Sequence, residues 1–125
     1  MQREGVENPS GIKGLLKEYY DGIAKGGGWG HLLSENFLLT GTIARESRGK
    51  GAYMNNNFFK LVKALKVEEM IAEGNSGFAL VRYDLVSPKG KPFSLRVAEF
   101  WKMKEGELDS VAIYFDTASF NDSMR

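Results

Sequence analysis

The alternation of apolar and polar residues near the end of the chain predicts a long β-hairpin, and the rest of the sequence is organised around it. Odd-numbered positions from 93 to 103 are apolar except for one acid, so a regular strand places them all on one face. They are Phe93, Leu95, Val97, Glu99, Trp101 and Met103. A tight turn at Lys104–Gly106 then leads to a second strand that ends at Asp116. The hairpin therefore carries one carboxyl group on an apolar face.

Helical periodicity dominates the first half of the chain. Pro9-Ser10 can start a first helix, with Ser10 as its cap, and Gly26–Gly28 ends it. Residues 29–33 predict a short second helix, and Ala52–Leu65 is the clearest helix because its apolar residues form one stripe. The stripes consist of Ile12, Leu15, Leu16, Tyr19 and Ile23 in the first helix and Met54, Phe58, Leu61, Val62 and Leu65 in the third.

The remaining apolar runs predict strands. They are Phe37–Leu39, followed by a polar loop at Gly41–Gly51, then Val67–Ala72, Phe78–Val86 and Leu108–Phe115. The last run is apolar on both faces, so its orientation stays open. Helices followed by hairpin-linked strands predict an α+β fold, with three N-terminal helices packed on one face of a strongly curved antiparallel sheet. Such a sheet, curled around its helices, encloses a pocket.

Composition narrows the functional classes. The 125 residues predict one domain, with residues 1–9 as a flexible segment, and 17 basic against 16 acidic residues give no net attraction to nucleic acid or membranes. There is no cysteine and a single histidine, His31, so we expect no metal site and no cofactor. The first ten residues do not resemble a signal peptide, and no apolar run approaches the roughly 20 residues of a membrane span. We expect a cytoplasmic protein.

Three motifs together resemble the SnoaL-like group of the nuclear-transport-factor-2-like superfamily. They are RGKGAYMNNNFFKLV, FWKMKEGEL and YFDTASF, and the similarity runs from about Gly11 to Phe120. The resemblance implies a cone-shaped α+β fold with a deep pocket, often dimerised through the outer surface of its sheet. The superfamily includes polyketide cyclases, ketosteroid isomerases, epoxide hydrolases, dehydratases and non-catalytic binding modules, so the resemblance alone implies no single activity.

Glu99 and Asp116 are the candidate catalytic residues. Burial of Glu99 among apolar side chains would raise its pKa and make it a proton donor, and a loose match to ketosteroid isomerases puts their protonated acid there. The alternatives are a salt bridge from Glu99 to an arginine on a neighbouring strand, or a bulge that exposes it. The resemblance to SnoaL-like cyclases places an acid/base aspartate at Asp116, whose alternative role is a strand-end cap or a surface acid.

Six further residues are candidates for ligand binding. They are Tyr19, His31, Tyr53, Asn57, Arg82 and Trp101. The aromatic residues and Asn57 would line a cavity, or else fill the core. His31 would lie near the pocket mouth, or be an ordinary surface residue. Arg82, together with Arg96, would clamp an anion, or pair with Glu99 or Asp84, or lie on a dimer face.

Three functional hypotheses follow. The first is a cofactor-independent acid/base enzyme of the polyketide cyclase or ketosteroid isomerase kind, in which Glu99 and Asp116 act on an apolar carbonyl-bearing substrate. The second is a binding module without turnover for a small apolar or amphipathic molecule. The third is an interaction domain whose cavity is filled by its own Tyr53, Trp101 and Met103. An outward-facing Phe100 also predicts a homodimer.

Overall fold

The computed structural model of the protein describes residues 11–41 and 48–125. The elements are α1 (Ile12–Lys25), a 3₁₀ turn (Gly30–Leu32), β1 (Leu33–Gly41), β2 (Arg48–Gly49), α2 (Lys50–Met54), α3 (Phe58–Leu61), β3 (Val62–Glu73), β4 (Ser76–Val86), β5 (Pro92–Lys104), β6 (Glu107–Tyr114) and α4 (Thr117–Met124). The predicted Ser10 cap, the N-terminal segment and most of the predicted polar loop lie outside the described residues. The α+β class is confirmed.

The six strands form one sheet in the order β2-β1-β6-β5-β4-β3. All neighbouring pairs are antiparallel except β1 and β6, which are parallel. The prediction of a purely antiparallel sheet is therefore wrong at this pair. β1 and β6 are far apart in sequence and are not connected by a hairpin, so they are free to pair in parallel. Gly41, at the end of β1, has a φ of 114°, and a Cβ atom there would collide with the backbone of Ile113. A glycine is thus required where the two strands meet.

The predicted long helix from Ala52 to Leu65 is wrong, because three asparagines interrupt it. The side-chain amide of Asn55 donates to the Gly51 carbonyl at 2.9 Å, and Asn56 Oδ1 accepts from the Phe58 N–H at 2.9 Å. Such local bonds compete with helix continuation. From Val62 onward the chain pairs with β4 as a strand, so tertiary pairing overrides the helical pattern.

The C-terminal helix α4 was not predicted. Its N-cap is Asp116, whose Oδ1 accepts from the backbone N–H of Ser119 at 3.0 Å. An aspartate at this position satisfies a backbone N–H that the first helical turn leaves without a partner. The chain therefore turns back along the sheet after β6, and Phe120 on α4 contacts the rings of Phe93 and Phe115.

The core lies between α1 and the inner face of the sheet. Four alternating residues of β5 are buried on this face, namely Leu95, Val97, Glu99 and Trp101, as the sequence pattern predicts. The ends of the predicted face, Phe93 and Met103, are partly buried. The turn between β5 and β6 has positive φ at Glu105 and Gly106, the conformation that suits a two-residue hairpin.

The outer face of the sheet carries an apolar patch. Ile71, Phe78, Phe100 and Ala112 are consecutive partners across β3, β4, β5 and β6, and they define the outer-face patch. The rings of Phe78 and Phe100 lie 4.9 Å apart, and Phe100 is 53% exposed. Contiguous exposed apolar surface of this kind marks an interaction site more often than a solvated surface.

We predict that the outer-face patch holds two copies of this chain together. Light scattering should show a dimer for the unmodified protein and a monomer for Phe100→Lys, because the substitution buries a charge in the interface. Met54→Ser is the matched control, since Met54 is an exposed apolar residue on α2 and not on the sheet. A monomeric unmodified protein at high concentration would contradict the prediction.

Candidate functional site

A cavity of about 510 Å³ opens between the inner face of the sheet, the segment from 53 to 61 and α4. Most of its wall is apolar, including Leu39, Leu61, Val97, Ile113, Phe115 and Phe120. The polar residues of the wall are few, and one of them is Glu99. Among the described residues that line the cavity, Glu99 is the one carboxylic acid.

Glu99 is held by two tyrosines. Its exposed fraction is 2%, Oε1 accepts from the Tyr20 hydroxyl at 2.5 Å, and Oε2 accepts from the Tyr83 hydroxyl at 2.7 Å. The predicted burial of Glu99 is confirmed. A hydroxyl group both donates and accepts, so the same partners serve the carboxylate and the neutral acid.

The arginines considered as partners of Glu99 lie elsewhere. Arg82 Nε is 3.3 Å from Asp84 Oδ1, and an Arg96 nitrogen is 2.8 Å from Glu68 Oε1. Both arginines have the opposite strand parity to Glu99 and are exposed. The salt bridge from Glu99 to either arginine is therefore wrong, and the side-chain partners of the Glu99 carboxyl among residues 11–41 and 48–125 are hydroxyl groups.

Burial raises the pKa of Glu99 to about 7, and the hydrogen bonds from Tyr20 and Tyr83 oppose that increase. Burial also raises the pKa of the Tyr20 and Tyr83 hydroxyls, and the negative charge of Glu99 raises it further. Both tyrosines therefore keep their protons at any pH at which Glu99 titrates. Glu99 is the group in this cluster that exchanges a proton near neutral pH.

A second layer of contacts orients the tyrosines. Trp101 Nε1 donates to the Tyr20 hydroxyl oxygen at 3.1 Å, and the Tyr19 and Tyr53 hydroxyls bond to each other. Trp101 is two residues after Glu99 on the same face of β5. One strand thus supplies both the acid and the indole that positions its first hydroxyl partner, while α1 supplies Tyr19 and Tyr20.

The structure brings three of the candidate site residues to the cavity, and places two more behind it. Glu99, Tyr53 and Asn57 line the cavity. Tyr19 and Trp101 are buried beside it as supports of the tyrosine cluster, and neither belongs to the wall.

The other three candidates lie outside the cavity, which corrects their assignment to a common site. Asp116 is exposed and caps α4, so the cap alternative describes it. His31 is exposed, with Nε2 3.4 Å from Glu18 Oε2. Arg82 is on the outer face with Asp84 and Ser94. The position of Asp116 was not predictable because neither strand parity nor the order of elements indicates that a helix follows β6.

Several residues of the site were missed by sequence reasoning. Tyr83 shares the parity of the buried residues of β4, so its inward direction was predictable, but its distance from Glu99 depends on strand register. Tyr20 lies outside the stripe that identified α1. Phe58 and Phe59 reach the cavity wall because the asparagines end the helix before them. In the described part of the chain, no group of three or more His, Asp or Glu side chains could hold a metal ion.

The raised pKa of Glu99 predicts a specific pH dependence of stability. The folded protein binds the Glu99 proton more tightly than the unfolded chain, so this stabilisation is full below the ordinary value of 4.5 and is lost as pH rises through about 7. The free energy of unfolding should fall by about 3 kcal/mol across this window from Glu99 alone. Urea unfolding at several pH values measures the loss.

Glu99→Gln is the decisive variant for this prediction, with Glu105→Gln in the exposed turn as its control. Subtracting the pH profile of Glu99→Gln from that of the unmodified protein should isolate the decline, whereas Glu105→Gln should retain it. If the stability of Glu99→Gln varied with pH in parallel with that of the unmodified protein, Glu99 would not titrate between pH 4.5 and about 7, and the prediction would be wrong.

Comparison with solved structures identifies the fold. An NTF2-like protein of unknown function from Cytophaga hutchinsonii is 24% identical, with 87% of this chain and 93% of that chain covered and a TM-score of 0.70. A putative SnoaL-like polyketide cyclase from Jannaschia sp. CCS1 is 13% identical, with coverages of 99% and 96% and a TM-score of 0.77. TerC, co-crystallised with polyporic acid, is 15% identical, with coverages of 94% and 98% and a TM-score of 0.76.

Comparison at the level of sequence finds no match. No family model and no curated protein matches this chain. No helix among the described residues has the length and apolar character needed to cross a membrane. The similarity to the solved structures extends over nearly the whole chain, and it confirms the resemblance that the three motifs carry at the level of the fold. The chain has the nuclear-transport-factor-2-like fold.

Proposed function

We propose that the protein binds a small, mainly apolar molecule in the cavity, with one oxygen of that molecule hydrogen-bonded to Glu99. The observation that carries the proposal is the position of Glu99, the one carboxylic acid among the described lining residues of an apolar cavity. A few convergent polar groups in an apolar pocket are the usual composition of a ligand site. The volume of about 510 Å³ suits a small organic molecule.

The protonation state of Glu99 determines whether it forms a hydrogen bond with a carbonyl oxygen or with a hydroxyl group of the ligand. With a pKa of about 7, the neutral acid and the carboxylate coexist near neutral pH. The neutral acid donates to a carbonyl oxygen, and the carboxylate accepts from a hydroxyl group. TerC, which has the same fold, was co-crystallised with polyporic acid, and this supports a ligand-holding role for the cavity.

Turnover of a carbonyl-bearing substrate is the second candidate function, and the pKa of Glu99 favours it. A general acid or base works best when its pKa is close to the working pH. Division of acid and base roles between Glu99 and Asp116 finds no support, because Asp116 is outside the cavity wall. A single carboxylate suffices for an isomerisation in which it removes a proton from one carbon and returns it to another.

The binding proposal is tested with methyl para-hydroxycinnamate, a neutral probe that carries a hydroxyl and a carbonyl group. Calorimetry should show saturable binding, and Glu99→Leu, whose side chain can neither donate nor accept a hydrogen bond, should weaken it by about 2- to 10-fold, the usual worth of one hydrogen bond. Glu105→Gln should leave it unchanged. Ile113→Trp, which places a large ring in the cavity wall, should abolish it.

Binding that survives Ile113→Trp in a folded protein would overturn the location of the site. Equal affinity of folded Glu99→Leu and the unmodified protein would overturn the role of Glu99. For the catalytic candidate, solvent deuterium should enter an enone substrate in the presence of the unmodified protein and not of Glu99→Gln, and no incorporation would eliminate proton transfer by this carboxyl.

A further inference from the structure

The polar residues of the cavity form two separate groups. The floor consists of Glu99, Tyr53 and Tyr83, which are all buried. The rim consists of Asn56, Asn57 and Lys60, which are partly or fully exposed and follow one another around the start of α3. Apolar side chains make up most of the rest of the wall. The two polar groups therefore differ in their exposure to water, because the floor is buried and the rim is open to solvent.

The rim offers hydrogen-bond donors and a positive charge. Asn56 Oδ1 is engaged by the Phe58 N–H, so its side-chain NH₂ is the part left for a ligand. The backbone N–H of Lys60 bonds to the Asn57 carbonyl at 3.0 Å, which fixes the turn that carries both side chains. Lys60 is exposed, so its long chain can follow the rim and keep its ammonium group in water. Apart from buried Glu99, no acid is among the described lining residues.

We propose that the rim receives an anionic group, and that the ligand is an amphipathic acid with a neutral oxygen at Glu99 and a carboxylate at Asn56, Asn57 and Lys60. This assignment rests on the proposed function and adds the chemical class and the orientation of the ligand. The charge of Lys60 and the two amide donors match a carboxylate.

The reverse orientation is unfavourable. A ligand carboxylate on the floor would lie beside the Glu99 carboxyl group in a buried, weakly screened environment, and one of the two would have to take up a proton. At the rim the same carboxylate keeps part of its hydration and gains a cation. The floor thus selects a neutral oxygen and the rim selects a negative charge, so the two ends of the cavity discriminate between the two ends of one molecule.

The test compares para-hydroxycinnamate with its methyl ester, which lacks the negative charge and carries one additional methyl group, on three proteins. Lys60→Gln should weaken binding of para-hydroxycinnamate about two- to fivefold, as expected for an exposed ion pair, and should leave the ester unaffected. Lys66→Gln is the control of equal charge, because Lys66 pairs with Arg82 in the sheet and is not part of the cavity wall. Added salt should weaken binding of the acid alone.

The outcomes separate this assignment from the proposed function. Ester binding that depends on Glu99, together with an unchanged affinity of Lys60→Gln for the acid, would overturn the rim assignment and leave the proposed function intact. An equal loss for acid and ester in Lys60→Gln would show a structural effect, and would overturn the rim assignment as well. Failure of both probes to bind the unmodified protein would count against the proposed function and, with it, against this inference.

Discussion

The cost of burying one ionisable carboxyl group is the constraint on which the site depends. Glu99 is removed from water on a strand face whose other buried residues are apolar. A carboxylate there without partners would cost several kcal/mol, so the fold supplies the Tyr20 and Tyr83 hydroxyls and the group takes up a proton more readily than in water. Among the residues that the structure describes, no cation lies beside Glu99 to lower its pKa and hold it in the charged form.

This constraint links three parts of the chain. α1 brings Tyr20 to one carboxyl oxygen, β4 brings Tyr83 to the other, and Trp101 on β5 holds Tyr20 in place. The two contacts of Tyr20 join residues 79 and 81 positions apart in sequence, so an isolated hairpin cannot form them. Most of the remaining wall is apolar and contributes shape. The floor of the cavity thus offers one exchangeable proton at a fixed place, which is the property that both the proposed binding and the proposed proton transfer require.

Strand parity made Glu99 predictable, because period-two alternation needs no knowledge of partners. Features that depend on which strands pair, and in which register, could not be predicted from the sequence. The register that sets Ala79 against Glu99 determines where Tyr83 lies, and the pairing of β3 with β4 converts the end of a predicted helix into a strand. The role of Asp116 could not be predicted for a similar reason. An aspartate that follows a strand is compatible both with an acid/base residue and with a helix cap, and the helix it caps is visible only in the structure. With Asp116 outside the cavity, Glu99 is the one carboxylic acid among the described lining residues.

The most direct test is a carbon-13 NMR titration of the Glu99 side-chain carboxyl, assigned by comparison with Glu99→Gln. We expect a titration midpoint near 7, because burial raises the pKa of this group. A parallel titration of Tyr83→Phe should show a midpoint higher still, because the hydrogen bond from Tyr83 favours the charged form. A midpoint at or below the ordinary value of 4.5 would contradict the account, because it would mean that the cavity holds a permanently charged carboxylate.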